Sequence, residues 1–143
     1  MVRLIERNPE ATIVWAHNCG RSSATSIRTM LQRYPNLYVD LGLMMNTGPE
    51  GYGSYWPRRT PWMYLIAYPS KQLLAGMHQL FEEFPDRFFV GTDTAHARVY
   101  QDYAVGAMRW RIFFEQLTAD TARKIAYENA EHLFRRGTER QPV

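Results

Sequence analysis

Cysteine and long apolar runs are what this sequence has least of. Cys19 is its one cysteine, which excludes an intrachain disulfide framework and a zinc module built on several thiolates. No apolar stretch approaches the roughly 18 residues of a membrane span, and Arg3, Glu6 and Arg7 stand where a signal peptide would be apolar. We therefore expect a cytoplasmic protein with no membrane partner.

An excess of charge of one sign is also missing. Seventeen Lys and Arg oppose fourteen Asp and Glu, which leaves a formal net charge of +3 with the two signs interspersed. The arginine pairs Arg58/Arg59 and Arg109/Arg111 build no nucleic-acid motif, so we expect no nucleic-acid partner. Hydrophobic residues at 45% and charged residues at 22% are typical of a chain that packs a core.

The length of 143 residues fits one domain, residues 1–143, but falls short of the roughly 200 to 250 residues of a complete eight-stranded α/β barrel. No internal repeat, charge block or linker divides the chain. The polar residues 137–143 are predicted to form a disordered tail.

Apolar runs of strand length alternate with amphipathic helical segments. Strands are predicted at residues 12–17, 37–41 and 88–90, and helices at residues 2–8, 22–34, 70–84, 99–116 and 119–136. Ser22 or Ser23 is expected to cap the second helix, and Ser70 the third. The last helix is expected to bury Ala122, Ile125, Ala126, Leu133 and Phe134. The alternation predicts an α/β fold with parallel strands joined by helical crossovers. Residues 43–69 are predicted to form a long loop rich in aromatic side chains, which is typical of a functional connection.

An ionisable residue lies at or just beyond the carboxyl end of each predicted strand, namely His17, Asp40 and Asp93. The carboxyl ends of parallel strands meet at one edge, and that edge carries the sites of α/β proteins. His17 can bind a metal or move a proton, or it is a hydrogen-bonded core histidine. Asp93 can be a metal ligand or base, or it caps the following turn. Asp40 is interpreted as structural, because a strand-end aspartate commonly satisfies backbone donors.

The other candidates for chemistry are weaker. Cys19 with His17 is a hypothetical thiolate nucleophile, although a lone thiol is typical of packing and no orienting third group is visible. His96 can add a metal ligand near the third strand end, or it faces solvent. His78 and His132 lie in predicted helices and are interpreted as ordinary.

Four segments carry a family signature. They read WAHNCG at residues 15–20, YPNLYVD at 34–40, FPDRFFVGTD at 84–93 and KIAYENA at 124–130 with Leu133 and Phe134 following. In this order they resemble the amidohydrolase-related branch of metal-dependent hydrolases, which includes aminocarboxymuconate semialdehyde decarboxylase and its relatives. The resemblance implies a (β/α)8 TIM barrel, of which this chain is the C-terminal part, strands 6 to 8.

The resemblance also implies roles for two residues. His17 matches the catalytic histidine of strand six, and Asp93 matches the strand-eight aspartate that ligates a divalent metal, zinc or manganese. Such a metal lowers the pKa of bound water, and a carboxylate takes its proton. The family's His-x-His on strand one and histidine on strand five have no counterpart here. A hydrolytic metal site normally uses three protein ligands, so we expect the isolated chain to bind metal weakly or not at all.

Two functional hypotheses follow. In the first, the chain is a partial metal-dependent hydrolase or decarboxylase for a small-molecule substrate, and it needs the missing barrel half from a homo-oligomer or from a complementing N-terminal half. In the second, it is a non-catalytic remnant that acts as a self-associating α/β module. Whether the chain is an enzyme stays open at this point, as does the choice between hydrolysis and decarboxylation.

Overall fold

Short parallel strands with helices packed on them make up the part of the chain described by the computed structural model, which is residues 1–17, 22–42, 72–92 and 103–138. In chain order the elements are α1 (Val2–Arg7), β1 (Ile13–Trp15), α2 (Ala24–Arg33), β2 (Leu37–Asp40), α3 (Ala75–Glu83), β3 (Phe88–Phe89), α4 (Tyr103–Phe114), α5 (Ala119–Arg123) and α6 (Asn129–Thr138). A 3-10 turn, Pro85–Arg87, leads into β3, and a π-helical turn, Lys124–Glu128, joins α5 to α6. This order confirms the predicted α/β class.

The strands form an open parallel sheet in the order β1-β2-β3, with β2 in the centre. Val39 of β2 pairs with Trp15 of β1 and with Phe88 of β3, which places these three side chains on one face. Val39 and Phe88 are fully buried under the helices on that face, whereas Val14, on the opposite face of β1, is 41% exposed.

The core lies between the covered face of the sheet and the apolar stripes of the helices. Phe81 of α3 packs edge to face on Phe88, with ring centroids 4.8 Å apart, and on Phe113 of α4, with centroids 5.2 Å apart. All three rings are fully buried, and this cluster holds both helices against the end of the sheet. Further buried side chains of the core are Ile5, Ile27, Leu31, Leu37, Leu41, Met77, Leu80 and Ile125.

Polar side chains satisfy backbone carbonyls at the amino ends of the strands. The Arg87 guanidinium donates to the carbonyl of Leu37 at 2.8 Å and to the carbonyl of Tyr34 at 2.6 Å, both near the start of β2. Before β1, the Asn36 amide donates to the carbonyl of Ala11 at 2.9 Å. Burial lowers the pKa of Arg87, but an arginine stays protonated in proteins and keeps all its donors.

Asn129 does the same for β3. Its buried amide donates to the carbonyls of Pro85 and Phe88, each at 2.7 Å, and so connects α6 to the turn and strand before it. The backbone N–H of Asn129 donates to the carbonyl of Lys124, five residues earlier, which is the π-helical bond. The wide turn therefore ends at the residue whose side chain secures the start of β3.

The π-helical turn also corrects part of the predicted core. Ala126 and Phe134 were expected on the buried side of the last helix, but both are exposed, Phe134 to 64%. Only Ile125, next to Ala126, is fully buried in this turn. A regular α-helix repeats every 3.6 residues, so a five-residue turn rotates the following residues onto a different face.

Several predicted boundaries also differ from the structure. The third helix begins at Ala75, and the backbone N–H of Leu73, which precedes it, donates to the side chain of Gln116 at 2.8 Å. Its predicted cap, Ser70, lies outside the described residues. Helix α6 ends at Thr138, while residues 139–143 of the predicted tail are also outside the described part.

One predicted helix cap agrees with the structure. The predicted cap at Ser23 is confirmed, since its hydroxyl accepts from the backbone N–H of Ser26 at 3.2 Å. Among the described helices, none combines the length and the apolar content that crossing a membrane requires.

Glu82 of α3 fixes the start of α5. Its carboxylate accepts from the backbone N–H and hydroxyl of Thr118, both at 2.8 Å, and from the buried hydroxyl of Thr121 at 2.7 Å. Burial by itself raises the pKa of Glu82, but the bonds from Thr118 and Thr121 outweigh it with help from the nearby His78, so the pKa is lowered overall. The carboxylate therefore supports the fold in its ionised form.

The protein should lose stability in acid, because the carboxylate of Glu82 becomes protonated there. The folded-state pKa lies below the ordinary value of 4.5, so the stabilisation is fully present above about pH 4.5 and is lost as the pH falls through the folded-state pKa. Urea midpoints measured at several pH values should show a shallower acid dependence for Glu82→Gln than for the wild type. Glu10→Gln, at an exposed glutamate in the turn before β1, is the control for loss of one charge. Equal acid dependence in Glu82→Gln and the wild type would contradict the assignment.

Asn129→Ala should destabilise the protein by about 2 kcal/mol, because it leaves the carbonyls of Pro85 and Phe88 without their donor. His132→Ala, at an exposed position of the same helix, should change the free energy of unfolding by less than about 0.5 kcal/mol. Equilibrium urea unfolding measures both changes. Equal stability of the two variants would show that the amide of Asn129 does not secure β3.

Candidate functional site

The carboxyl ends of the strands lie at one edge of the sheet because β1 and β3 both run parallel to β2. His17 stands two residues beyond β1, Asp40 is the last residue of β2, and Gly91 follows β3 by two residues. Loops after the strands of a parallel α/β protein gather at this edge, where its functional groups are usually found. The structure therefore places two of the three predicted strand-end residues on the expected side.

The carboxylate of Asp40 lies against the backbone that follows β2 and β3. Its Oδ1 accepts from the backbone N–H of Gly42 at 2.9 Å, which confirms that it satisfies a backbone donor. A Cβ at Gly42 would lie 2.8 Å from Oδ2 of Asp40, and one at Gly91 would overlap Oδ1. A side chain at either position would therefore displace the carboxylate of Asp40 from its observed place.

The ring of His17 also reaches Gly42. Its Nδ1 lies 3.3 Å from the carbonyl oxygen of Gly42, and since a carbonyl only accepts, Nδ1 carries the proton of this bond. The backbone of His17 has a φ of 57°, in the left-handed region that few residues other than glycine adopt. His17 is exposed, so its imidazole is accessible at the rim of the sheet.

Sequence reasoning missed the part that the two glycines play. Gly42 connects the two ionisable residues, because its N–H bonds to Asp40 and its carbonyl bonds to His17. The available signal was the glycine that directly follows the second and third predicted strands, Gly42 and Gly91. What glycine provides here is room for a carboxylate, and that depends on the neighbouring strand.

Several predicted site residues cannot be placed. Asp93, Cys19 and His96 lie outside the described residues, as does the aromatic loop of residues 43–69. His78 is described, and its Nε2 donates to the backbone carbonyl of Gln116 at 2.9 Å in the helical layer, which agrees with its interpretation as an ordinary histidine.

The described residues do not by themselves form a metal site. Within residues 1–17, 22–42, 72–92 and 103–138, no three His, Cys, Asp or Glu side chains are grouped so that they could hold an ion. Asp40 already uses one oxygen on the Gly42 N–H, and a hydrolytic metal normally takes three protein ligands. The zinc or manganese that the resemblance implies would need ligands from other parts of the protein.

Comparison with known proteins supports the family signature. A family model described as Amidohydrolase matches residues 1–136 of the 143-residue chain, which includes every described strand. Comparisons with curated proteins and with solved structures gave no match.

Gly91→Ala and Gly76→Ala should change stability in opposite directions. At Gly91 the new methyl would overlap the carboxylate of Asp40, and we expect a loss of about 2 kcal/mol. At Gly76, in helix α3, it would make an ordinary contact 3.4 Å from Ala24, and we expect a gain of up to about 1 kcal/mol from helix propensity. Urea unfolding of both variants gives the comparison. If Gly91→Ala left the free energy of unfolding unchanged, the carboxylate of Asp40 would not be confined beside Gly91.

Proposed function

The chain belongs to the amidohydrolase family, and we propose that it provides one part of the active-site rim of a metal-dependent hydrolase or decarboxylase barrel. The observation that carries the proposal is the position of His17, exposed at the carboxyl edge of a parallel sheet that the family match covers. In a (β/α)8 barrel this edge carries the active site, whereas the opposite edge serves stability.

His17 is proposed as the residue that moves a proton. With its Nδ1–H donated to Gly42, the neutral ring carries its lone pair on Nε2, which can accept a proton from a substrate or water and return it. An imidazole changes protonation near neutral pH, which suits this role. The substrate is proposed to be a small molecule, and both hydrolysis and decarboxylation are compatible with a histidine in this position.

Asp93 is proposed as a metal-binding carboxylate and as a catalytic residue. Its support is the family segment at residues 84–93 and its place two residues after Gly91, close in sequence to the carboxyl edge. Carboxylate oxygens are suitable ligands for zinc and manganese. Because the family's His-x-His and strand-five histidine have no counterpart in this sequence, we propose that the ion is held only in the completed protein.

Further strands are proposed to complete the sheet, from a second copy of this chain or from a polypeptide that carries the first half of the barrel. β1 is an edge strand of the described sheet, and Val14 on its less covered face is 41% exposed. An edge strand presents backbone donors and acceptors that favour pairing with another strand. In a closed barrel the less covered face of the sheet becomes the packed interior.

A second candidate is a self-associating module without catalysis. Large apolar side chains are exposed on the described surface, among them Val14, Met108 at 65% and Phe134 at 64%. Such side chains can hold copies of the chain together without any role for His17. Substitution of His17 therefore separates the two candidates.

The proposed function is tested with the chain purified from its native cells, so that any partner accompanies it. Size-exclusion fractions are assayed with a panel of amides, esters, lactones and aromatic carboxylic acids in the presence of zinc or manganese. We expect turnover in fractions larger than a monomer, and a fall in kcat of roughly 100-fold to 10,000-fold for His17→Ala. His132→Ala, at an exposed position of α6, is the control that should keep the wild-type rate.

Four outcomes would contradict the proposal. Turnover by the monomeric chain, or tight one-to-one zinc binding by that monomer in calorimetry, would show that no further strands are needed. A wild-type rate in His17→Ala would remove the histidine from the chemistry. Self-association without turnover in any fraction, unchanged in His17→Ala, would favour the non-catalytic module.

A further inference from the structure

Gly42 is the residue through which the carboxyl ends of β1 and β2 are connected. Its N–H donates to Oδ1 of Asp40 at 2.9 Å, and its carbonyl accepts from Nδ1 of His17 at 3.3 Å. Both of its backbone hydrogen-bonding groups are thus used by side chains at the rim of the sheet.

Glycine alone is a poor support for a catalytic histidine. It has the largest backbone freedom of any residue, so a carbonyl on glycine keeps a fixed direction only when something else restrains it. The restraint here is Asp40, whose carboxylate lies against Gly42 on one side and Gly91 on the other and is therefore confined between two stretches of backbone. A charged acceptor also forms a stronger bond to an N–H than a neutral one does.

His17 depends on that restraint because its own backbone does not favour the observed position. A φ of 57° is sparsely populated for residues with a side chain, and such a conformation persists when surrounding contacts determine it. The bond from Nδ1 to Gly42 is one such contact, and it also selects which ring nitrogen carries the proton.

We propose that Asp40 is a positioning residue, which acts through Gly42 to hold His17 as the Nδ1–H tautomer with the lone pair on Nε2. The catalytic role of this arrangement rests on the proposed function. The assignment of the His17 tautomer is independent of it. Asp40 was interpreted from the sequence as structural, and its contacts extend that interpretation to the orientation of the histidine.

The tautomer can be read directly by NMR of the protein labelled with 15N-histidine, at about pH 8.5, roughly two units above the ordinary histidine pKa. His17→Gln assigns the signal. We expect Nδ1–H for His17 and the opposite tautomer, Nε2–H, for His78, whose Nε2 donates to Gln116. His78 is therefore an internal reference in the same sample.

Two substitutions separate the hydrogen bond from the charge. Asp40→Ala removes the acceptor, and the ratio of Nδ1–H to Nε2–H at His17 should fall roughly fivefold, the equivalent of one ordinary hydrogen bond. Asp40→Asn keeps an acceptor oxygen and should retain most of the Nδ1–H form. His78 should stay unchanged in both variants, because Asp40 touches none of its described partners. A general loss of structure would change both histidines, so it is distinguishable from a loss of positioning.

The proposal is overturned if His17 of the wild type is Nε2–H, a result that needs no variant to fold. It is also overturned if Asp40→Ala folds and leaves the tautomer of His17 unchanged. Failure of the proposed function is recognised separately, because a protein without any turnover can still show the tautomer change. Where turnover is present, Asp40→Ala should lower kcat with little change in KM, and Asp40→Asn should restore most of it.

Discussion

The parallel register of β2 with both of its neighbours is the constraint on which the rest of the structure depends. It aligns Val39 with Trp15 and with Phe88, so that these side chains share the face on which the core packs. The same register brings the residues that follow each strand to one edge. A shift of one residue would turn every side chain to the opposite face, which would bury the carboxylate of Asp40 and expose the core. Packing and the proposed site are therefore consequences of one alignment.

The two ends of the sheet use polar side chains in different ways. At the amino ends, Asn36, Arg87 and Asn129 donate to backbone carbonyls and thereby secure the start of each strand. These bonds pair carbonyls that would otherwise lack a donor, so the polar side chains at this end serve stability. At the carboxyl end, Asp40 binds a backbone N–H and an imidazole stands at the rim. This division matches the separation of stability and activity between the two ends of parallel α/β proteins.

The accuracy of the sequence-based predictions depended on how local each feature was. The cap at Ser23 was predictable because its bond spans three residues. The exposure of Phe134 was not, because it follows from a π-helical turn whose end is held by a bond between Asn129 and the distant carbonyl of Phe88. The part played by Gly91 was hidden for the same reason, since the carboxylate that needs its space belongs to another strand.

The sequence by itself determined the alternation of strands and helices, the ionisable residues at the strand ends and the family signature. Each of these features depends only on residues that are close together in the chain, or on the order of such segments. Tertiary structure decided that Asp40 and His17 meet through Gly42, which lies 25 residues from His17 in the chain. No periodicity encodes such a contact. It arises when two strands pair in register and a glycine leaves room for a carboxylate, so it exists only in the assembled sheet.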